Sequence, residues 1–301
     1  MACNQFTDGC AFIDRGYVPI AEARISIMDT GFSRSDVTYD VVAVWNGKFF
    51  RLEDHLDRFE RSWKRMRMKP GVSKDEIRKI LFECVRRSGI RNAYVDMIMS
   101  RGVDEEGSRD PRRFRNRFYA YAIPYVWIVK PEEQEVGIHL VVAEKTIRIP
   151  PDAIDPTIKN FHWGDLIRGV FEAYDRGGYT AVLLDAGGNI TEGPGFNVFA
   201  YYEGTLLTPE KGVLEGITRR TVLDLADELG IPAKKDMFGL NTLNGADEVF
   251  ITSTAGGVMP VAKVNGKQVG IGTPGKITTL IRKRYWETHG EDRWTTLVDY
   301  K

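Results

Sequence analysis

Two prolines constrain this chain more than any other feature. Up to Pro124 the sequence alternates strand-like and helix-like stretches, and after Pro131 the same kind of pattern starts afresh. The break sets a linker at residues 124–134, between a smaller N-terminal unit, 1–123, and a larger C-terminal one, 135–301. Neither part repeats a regular strand–helix–strand unit, so the reading is α+β rather than a doubly wound parallel sheet. With 301 residues, 43% hydrophobic and 11% aromatic, the chain carries enough apolar side chain for two cores.

In the first part "ARISIMDT" and "VTYDVVAVWNGKFF" read as strands, the second turning at Asn46-Gly47. Leu52, Leu56, Phe59, Trp63 and Met66 recur on one face of a helix, and a second helix starts at a Ser73 cap and stops at Gly89. "NAYVDMIMSRG" and "RFYAYAIPYVW" read as strands joined by the arginine-rich segment Val103 to Arg117, long enough to be functional. In the second part "VGIHLVVAEKTIRI" is a strand and "WGDLIRGVFEAYDRGG" a helix ended by Gly177 and Gly178. "YTAVLLDAGGNITEG" and "FNVFAYYEGTLLTP" read as hairpins, "DEVFITST" as a strand, and 218–229 and 273–286 as helices.

Lys plus Arg and Asp plus Glu both total 42, so no net field draws the protein to nucleic acid or an anionic membrane. The expected partner is a small molecule or a second copy. Cys3, Cys10 and Cys84 form no CxxC pair and no even set, which fits a reducing compartment. The four histidines are scattered, so a catalytic metal is not expected. Without a signal peptide or a bilayer-length apolar run, the expected location is the cytoplasm.

Three places could take a phosphate. Gly216, Ile217 and Thr218 open an amphipathic helix whose free N–H groups and dipole favour an anion. A strand runs straight into Ser253-Thr254-Ala255-Gly256-Gly257, a small-residue turn that admits close approach of a ligand. The third is Arg58, whose ordinary role is a helical pair with Asp54. Two residues could do bond chemistry: Lys159 in "DPTIKNFHWGD" and Glu192 in "GGNITEGPGFNVF". A lysine amine beside an aldehyde and a carboxylate beside a pyridine nitrogen are parts of pyridoxal phosphate chemistry. Singly, each has a bland role as a surface charge, an N-cap or a solvated turn. The glycine-rich "DAGGNITEGPG" lacks GxGxxG and a following helix, so a dinucleotide site is not indicated.

Taken together, "IDPTIKNFHWGDLIRG", "LLDAGGNITEGPGFNVF", "TPEKGVLEGITRRTV" and "STAGGVMPV" resemble the successive motifs of the fold-type IV pyridoxal phosphate enzymes. That family includes branched-chain and D-amino acid aminotransferases, aminodeoxychorismate lyases and (R)-selective amine transaminases. "SDVTYDVVAVWNGKFFRLEDHLDRF" and "KNFHWGDLIRG" are similar to the amine transaminase branch. The resemblance implies a small α/β domain followed by a larger domain with a barrel-like sheet, assembled as a homodimer, with pyridoxal 5'-phosphate (PLP) as cofactor. It makes Lys159 the lysine that joins the cofactor and Glu192 the partner of its ring nitrogen. Arg58, Ile217, Thr218 and Thr254 match phosphate positions, and Phe196 and Asn197 follow the cofactor glutamate. Tyr39, Val41 and Trp163 match the substrate pocket, with Thr254 and Ala255 beside it. Arg34 stands where the amine transaminases carry histidine, and Arg109, Arg112 and Arg113 lie out of their usual register. An arginine binds a carboxylate well, so Arg34 and Arg109 are candidates for holding one. The implied reaction moves an amino group from a primary amine, (R)-configured, to an α-keto acid such as pyruvate. The alternatives are a D-amino acid or branched-chain aminotransferase, and after them a lyase.

Overall fold

The computed structural model describes residues 5–104 and 107–301, which leaves Cys3 outside the described residues. The chain divides into two compact units. The first holds residues up to Val126 together with Ile158–Phe161 and His289–Lys301, and the second holds Trp127–Thr157 and His162–Thr288. The first crossing from one to the other thus follows Val126, and the stretch read as a linker already contains a helical turn starting at Pro131.

In chain order the first unit contains β1 (Cys10–Ile13), β2 (Gly16–Pro19), α1 (Thr30–Arg34), β3 (Val37–Trp45), β4 (Lys48–Phe50), α2 (Leu52–Arg65), α3 (Lys74–Ser88), β5 (Ala93–Val103) and β6 (Arg115–Pro124). A C-terminal strand, Thr295–Leu297, pairs antiparallel with β4 and so returns the chain end to this unit. The sheet runs C-terminal strand, β4, β3, β5, β6, β1, β2. One face carries Val42, Val44, Val95, Met97, Met99, Ala120 and Ala122, which pack on Leu56 and Phe59 of α2 and Ile77 and Leu81 of α3. Each of these side chains other than the alanines contributes about 1.5–3 kcal/mol on burial. The second helix has the expected ends: Ser73 and Glu76 form a reciprocal capping box, and Gly89 closes it at φ 71°.

"ARISIMDT" is not a strand. Asp29 accepts from the Gly31 N–H at 2.8 Å and caps α1, and Ile25, Ile27 and Met28 point outward, so its apolar residues never alternate across a sheet.

The second unit contains α4 (Pro131–Val136), β7 (Ile138–Ile147), α5 (Gly164–Asp175), β8 (Thr180–Leu184), β9 (Glu192–Gly193), β10 (Phe196–Tyr202), β11 (Thr205–Pro209), α6 (Ile217–Glu228), β12 (Ala233–Asp236), α7 (Leu240–Gly245), β13 (Glu248–Ser253), β14 (Gly257–Val264), β15 (Lys267–Gln268) and α8 (Lys276–Thr288). Hydrogen-bonded neighbours lead from β10 through β13, β14 and β7 to β8. Leu184 then bridges Ile190, and β9 pairs with β10, so the path returns on itself as a barrel-like sheet. Leu140, Val142, Val182, Phe196, Val198, Ile251 and Met259 fill one side, while the alternate residues Val141, Ala143, Ala181 and Leu183 pack against Leu166 and Ala173 of α5. Closure depends on Gly193: a Cβ there would lie 2.1 Å from the Phe196 ring and 2.4 Å from the Ala181 carbonyl oxygen. Among the described residues no helix is long and apolar enough to cross a membrane.

Candidate active site

β4 covers β3 only at Val44 and Trp45, which leaves the edge of the other half of β3 to be paired by something else. Ile158–Phe161 takes that edge. The Lys159 carbonyl accepts from the Tyr39 N–H at 3.1 Å and from the Thr38 hydroxyl at 2.7 Å, and Thr38 bridges Asn160 as an antiparallel pair. The backbone of Lys159 is therefore held as a short strand would be. Its Nζ lies 4.3 Å from the centre of the Tyr39 ring, a cation–π contact.

Register places Val41, Asp96 and Tyr121 in one row across β3, β5 and β6, and Tyr39, Ile98 and Tyr119 in the next. Directly opposed residues share a face, so these side chains line the face away from α2 and α3. Asp96 is fully enclosed. Its Oδ2 accepts from the Tyr121 hydroxyl at 3.0 Å, and its Oδ1 has no hydrogen-bond partner among the described residues. Burial pushes the Asp96 carboxyl up to about 8, against the Tyr121 hydrogen bond and the Lys159 charge, which pull it down.

A pH dependence follows. An unfolded aspartate titrates near about 3.9. Between that value and about 8 the folded protein holds a proton that the unfolded chain has released, so this group lowers stability as pH rises through the window. Asp96→Asn is expected to remove the slope, so that its Tm exceeds that of the wild type by a growing margin from about pH 5 to about pH 8. Parallel Tm curves for the two proteins would refute this ionisation.

Asp40 points to the opposite, core face. It receives Arg58 Nε and Nη2 at 2.7 Å each and His55 Nδ1 at 2.8 Å. Burial works against the Asp40 charge, yet the Arg58 guanidinium and the His55 ring outweigh it and hold the carboxyl well below its usual range. Burial also lowers the His55 pKa, against Asp40, so the ring is neutral. Asp54 receives Arg51 at 2.5 Å, and Arg58, only 3% exposed and so no surface side chain, reaches across to β3. Arg34 ends α1 exposed, and Arg109 is exposed in its loop; neither has an ion-pair partner among the described residues. Arg112 is held by Asp110.

In the second unit Glu192 is buried and fixed at both oxygens. Oε1 accepts from Arg148 Nη2 at 3.1 Å, and Oε2 accepts from the Leu214 N–H at 2.8 Å. Arg148 also donates to Asp165 at 2.6 Å, so one guanidinium ties the end of β7, the first turn of α5 and β9 together. Burial opposes the charge on Arg148, but Glu192 and Asp165 outweigh it and raise its pKa. Asn197 donates to the Leu214 carbonyl at 3.0 Å, and its Oδ1 lies 2.1 Å from where a Gly216 Cβ would stand. That glycine lets the chain pass Asn197 into α6, whose N-cap makes no side-chain hydrogen bond. The Ile217 and Thr218 N–H groups are thus the unshared donors of a helix start, with the Thr218 side chain buried beside them. The turn after β13 is shaped by the Ala255 N–H donating to Ser253 Oγ at 3.2 Å, with Thr254 half-buried at its apex. Trp163 precedes α5 and packs against Leu166 and its neighbours, whereas Phe196 belongs to the barrel core.

Lys159, Tyr39 and Val41 therefore share one sheet, with Arg58 on its far face. Glu192, Asn197, Ile217 and Thr218 meet around the Leu214 loop. Asp40, Asp96 and Arg148 were missed by the sequence reading. The signal was present: a charged residue inside or at the end of an apolar strand, in "TYDVVAV", "AYVDMIM" and "EKTIRI", is a buried charge that needs a partner. Among the described residues no cluster of three or more His, Cys, Asp or Glu could hold a metal.

A sequence model of the family described as amino-transferase class IV matches residues 38–264. A protein of Methanocaldococcus jannaschii described as a putative branched-chain-amino-acid aminotransferase is 30% identical over 277 residues, 91% of this chain and 94% of that one. A D-alanine aminotransferase of Listeria monocytogenes is 29% identical over 276 residues, 88% of this chain and 91% of its own. The branched-chain amino acid aminotransferase of Thermobaculum terrenum, crystallised in its PLP form, the holo form, superposes with a TM-score of 0.87 at 27% identity over 96% of this chain and 98% of that one.

Proposed function

We propose, from the premise that this chain belongs to the class IV aminotransferases, a specific donor and a role for each residue. The enzyme transfers an amino group from an amino donor to a keto acid, and its cofactor is pyridoxal 5'-phosphate. The residues fit that group: a buried, oriented carboxylate at Glu192, unshared N–H donors at Ile217 and Thr218, and a lysine amine at position 159. When bound, the cofactor supplies an aldehyde that joins amines and a ring that withdraws electrons from the carbon bearing them. Glu192, oriented by Arg148 and the Leu214 N–H, accepts the N–H of the ring nitrogen. The Ile217 and Thr218 N–H groups, the Thr218 and Thr254 hydroxyls and the Arg58 guanidinium hold the phosphate. Lys159 Nζ holds the cofactor at rest, then takes the proton from the amine-bearing carbon of the donor and returns it for the acceptor half-reaction. Tyr39, Val41 and Trp163 contact the donor, with Thr254 and Ala255.

The donor is an (R)-configured primary amine, and the acceptor an α-keto acid such as pyruvate. One observation carries this reading: the sheet face that holds Lys159 presents Tyr39, Val41, Tyr94, Asp96 and Tyr121, an acid among tyrosines, with no described cation in those rows to receive a carboxylate. The names of the relatives favour a second reading, a branched-chain or D-amino acid aminotransferase, in which Arg34 or Arg109 binds the donor carboxylate. A donor panel with pyruvate and 2-oxoglutarate separates them. Faster turnover of (R)-1-phenylethylamine than of its (S) form, D-alanine or L-leucine is the expected result; turnover of the amino acids alone would overturn it.

A homodimer completes the proposal. Ile25, Ile27, Met28 and Phe32 form an open apolar face in the first unit, as do Ile167, Phe171 and Tyr174 in the second. Sedimentation at micromolar protein is expected to give twice the chain mass of 34.1 kDa, and a monomer would refute it. The cytoplasm is proposed as its location because Cys10 and Cys84 are buried free thiols.

A further inference from the structure

Within the first unit, one buried oxygen has no assigned task. Asp96 Oδ2 is oriented by the Tyr121 hydroxyl, but Oδ1 is enclosed without a donor. A carboxylate removed from water in this way is costly unless it is protonated or meets a cation. Tyr94 stands two residues before it on the same face, Tyr121 beside it on β6, and Tyr39 one row away on β3. The amine of Lys159 rests on the Tyr39 ring, and its charge reaches Asp96. The oxygen therefore lies on the face where an amine substrate would arrive.

We propose that Asp96 is the proton acceptor for the incoming amine donor: Oδ1 takes a proton from the donor's ammonium group as it reaches the Lys159 site. The N–H bond breaks, an O–H bond forms, and the electron pair left on nitrogen becomes the nucleophile. A neutral amine and a neutral acid replace two charges, which removes the burial cost. The proton returns to the amine formed at the end of the reverse half-reaction. This proposal rests on the transaminase reading.

The groups facing Asp96 suit the task. Burial raises its carboxyl to about 8, with Asp40 behind β3 adding to the rise; Tyr121, Lys159 and the Met97 N–H oppose it. The Tyr94 and Tyr121 hydroxyls are themselves raised by burial and by Asp96, so both stay protonated as donors. Once ionised above about pH 8, an acid of this strength takes a proton from an ammonium group, for which a surface aspartate would be far too weak a base.

The alternative is an acid that stays protonated and merely fills space. Asp96→Asn keeps the shape and can still accept the Tyr121 hydrogen bond, but cannot take a proton. Its kcat/KM for an amine donor is expected to fall at least about tenfold between about pH 8, above which Asp96 is ionised, and the donor's own ammonium pKa, and to approach the wild-type value above that pKa, where water has removed the proton already. A ratio of variant to wild type that is the same at every pH overturns the proposal. Tyr121→Phe removes the hydrogen bond that lowers the carboxyl, so the acid limb of its profile is expected at higher pH; an unmoved limb also overturns it. Infrared difference spectra of the protein without substrate provide a readout independent of turnover. The carboxylic-acid carbonyl band is expected in the wild type at low pH, to fade as pH passes about 8, and to be missing in Asp96→Asn. No such band overturns the proposal. A wild type inactive on every donor overturns the transaminase reading and this proposal together, whereas full activity with an unchanged pH profile overturns this proposal alone.

Discussion

Lys159→Ala is expected to abolish transamination, with a loss of at least about 10⁴-fold, while leaving the fold intact. The fold survives because the contacts that seat this residue use its backbone: its carbonyl accepts from the Tyr39 N–H and the Thr38 hydroxyl, and alanine keeps that oxygen. What is lost is the only atom of the residue that can join an aldehyde and carry a proton. Absorbance of the purified protein incubated with the cofactor gives a second measurement, since the visible band of a lysine-linked cofactor should be missing in the variant. Turnover by the alanine protein would remove Lys159 from the chemistry.

Asp40→Ala acts on stability, through charge. In the folded protein it removes both carboxylate oxygens that receive a guanidinium only 3% exposed. Breaking a buried pair from one side costs about 3–5 kcal/mol, since the remaining charge loses its close counter-charge. Urea denaturation should show the midpoint lowered with little change in slope. A double variant in which Arg58 is also replaced by methionine should regain much of the loss, because the buried charge is then gone. A single variant with wild-type stability would mean that Arg58 finds another anion. Since Arg58 is proposed to hold phosphate, added inorganic phosphate is expected to stabilise the wild type more than the double variant.

The comparison of sequence with structure is clearest at particular residues. Helical spacing of Leu52, Leu56, Phe59 and Trp63 placed α2, and the Ser73 and Gly89 signals placed the ends of α3, because those patterns are local and the energetics of caps and amphipathic faces act over a few residues. "ARISIMDT" failed for the complementary reason. Its β-branched content suggested a strand, but no neighbouring strand edge takes it up, and Asp29 turned the chain into α1 instead. The strand Gly257–Val264 went unread although it folds back antiparallel on β13, because the small residues of the turn between them were read as an anion-binding loop and its other partner, β7, lies more than a hundred residues away in sequence.

At the candidate site, the order of motifs singled out Lys159, Glu192 and the start of α6, and the chemistry of lysine, carboxylate and free N–H groups made them a coherent set before any coordinates. The sequence by itself determined which reactive groups the chain owns and which family it resembles, because those depend on residue type and order. Only the tertiary structure decided what each group is paired with. It paired Arg58 with Asp40, bound Glu192 to Arg148, and enclosed Asp96 with one oxygen unmatched beside Tyr121. Pairing of charges and loss of water are set by residues far apart in sequence that share a sheet face, and the ionisation of a carboxylate follows from those neighbours, not from the residue itself.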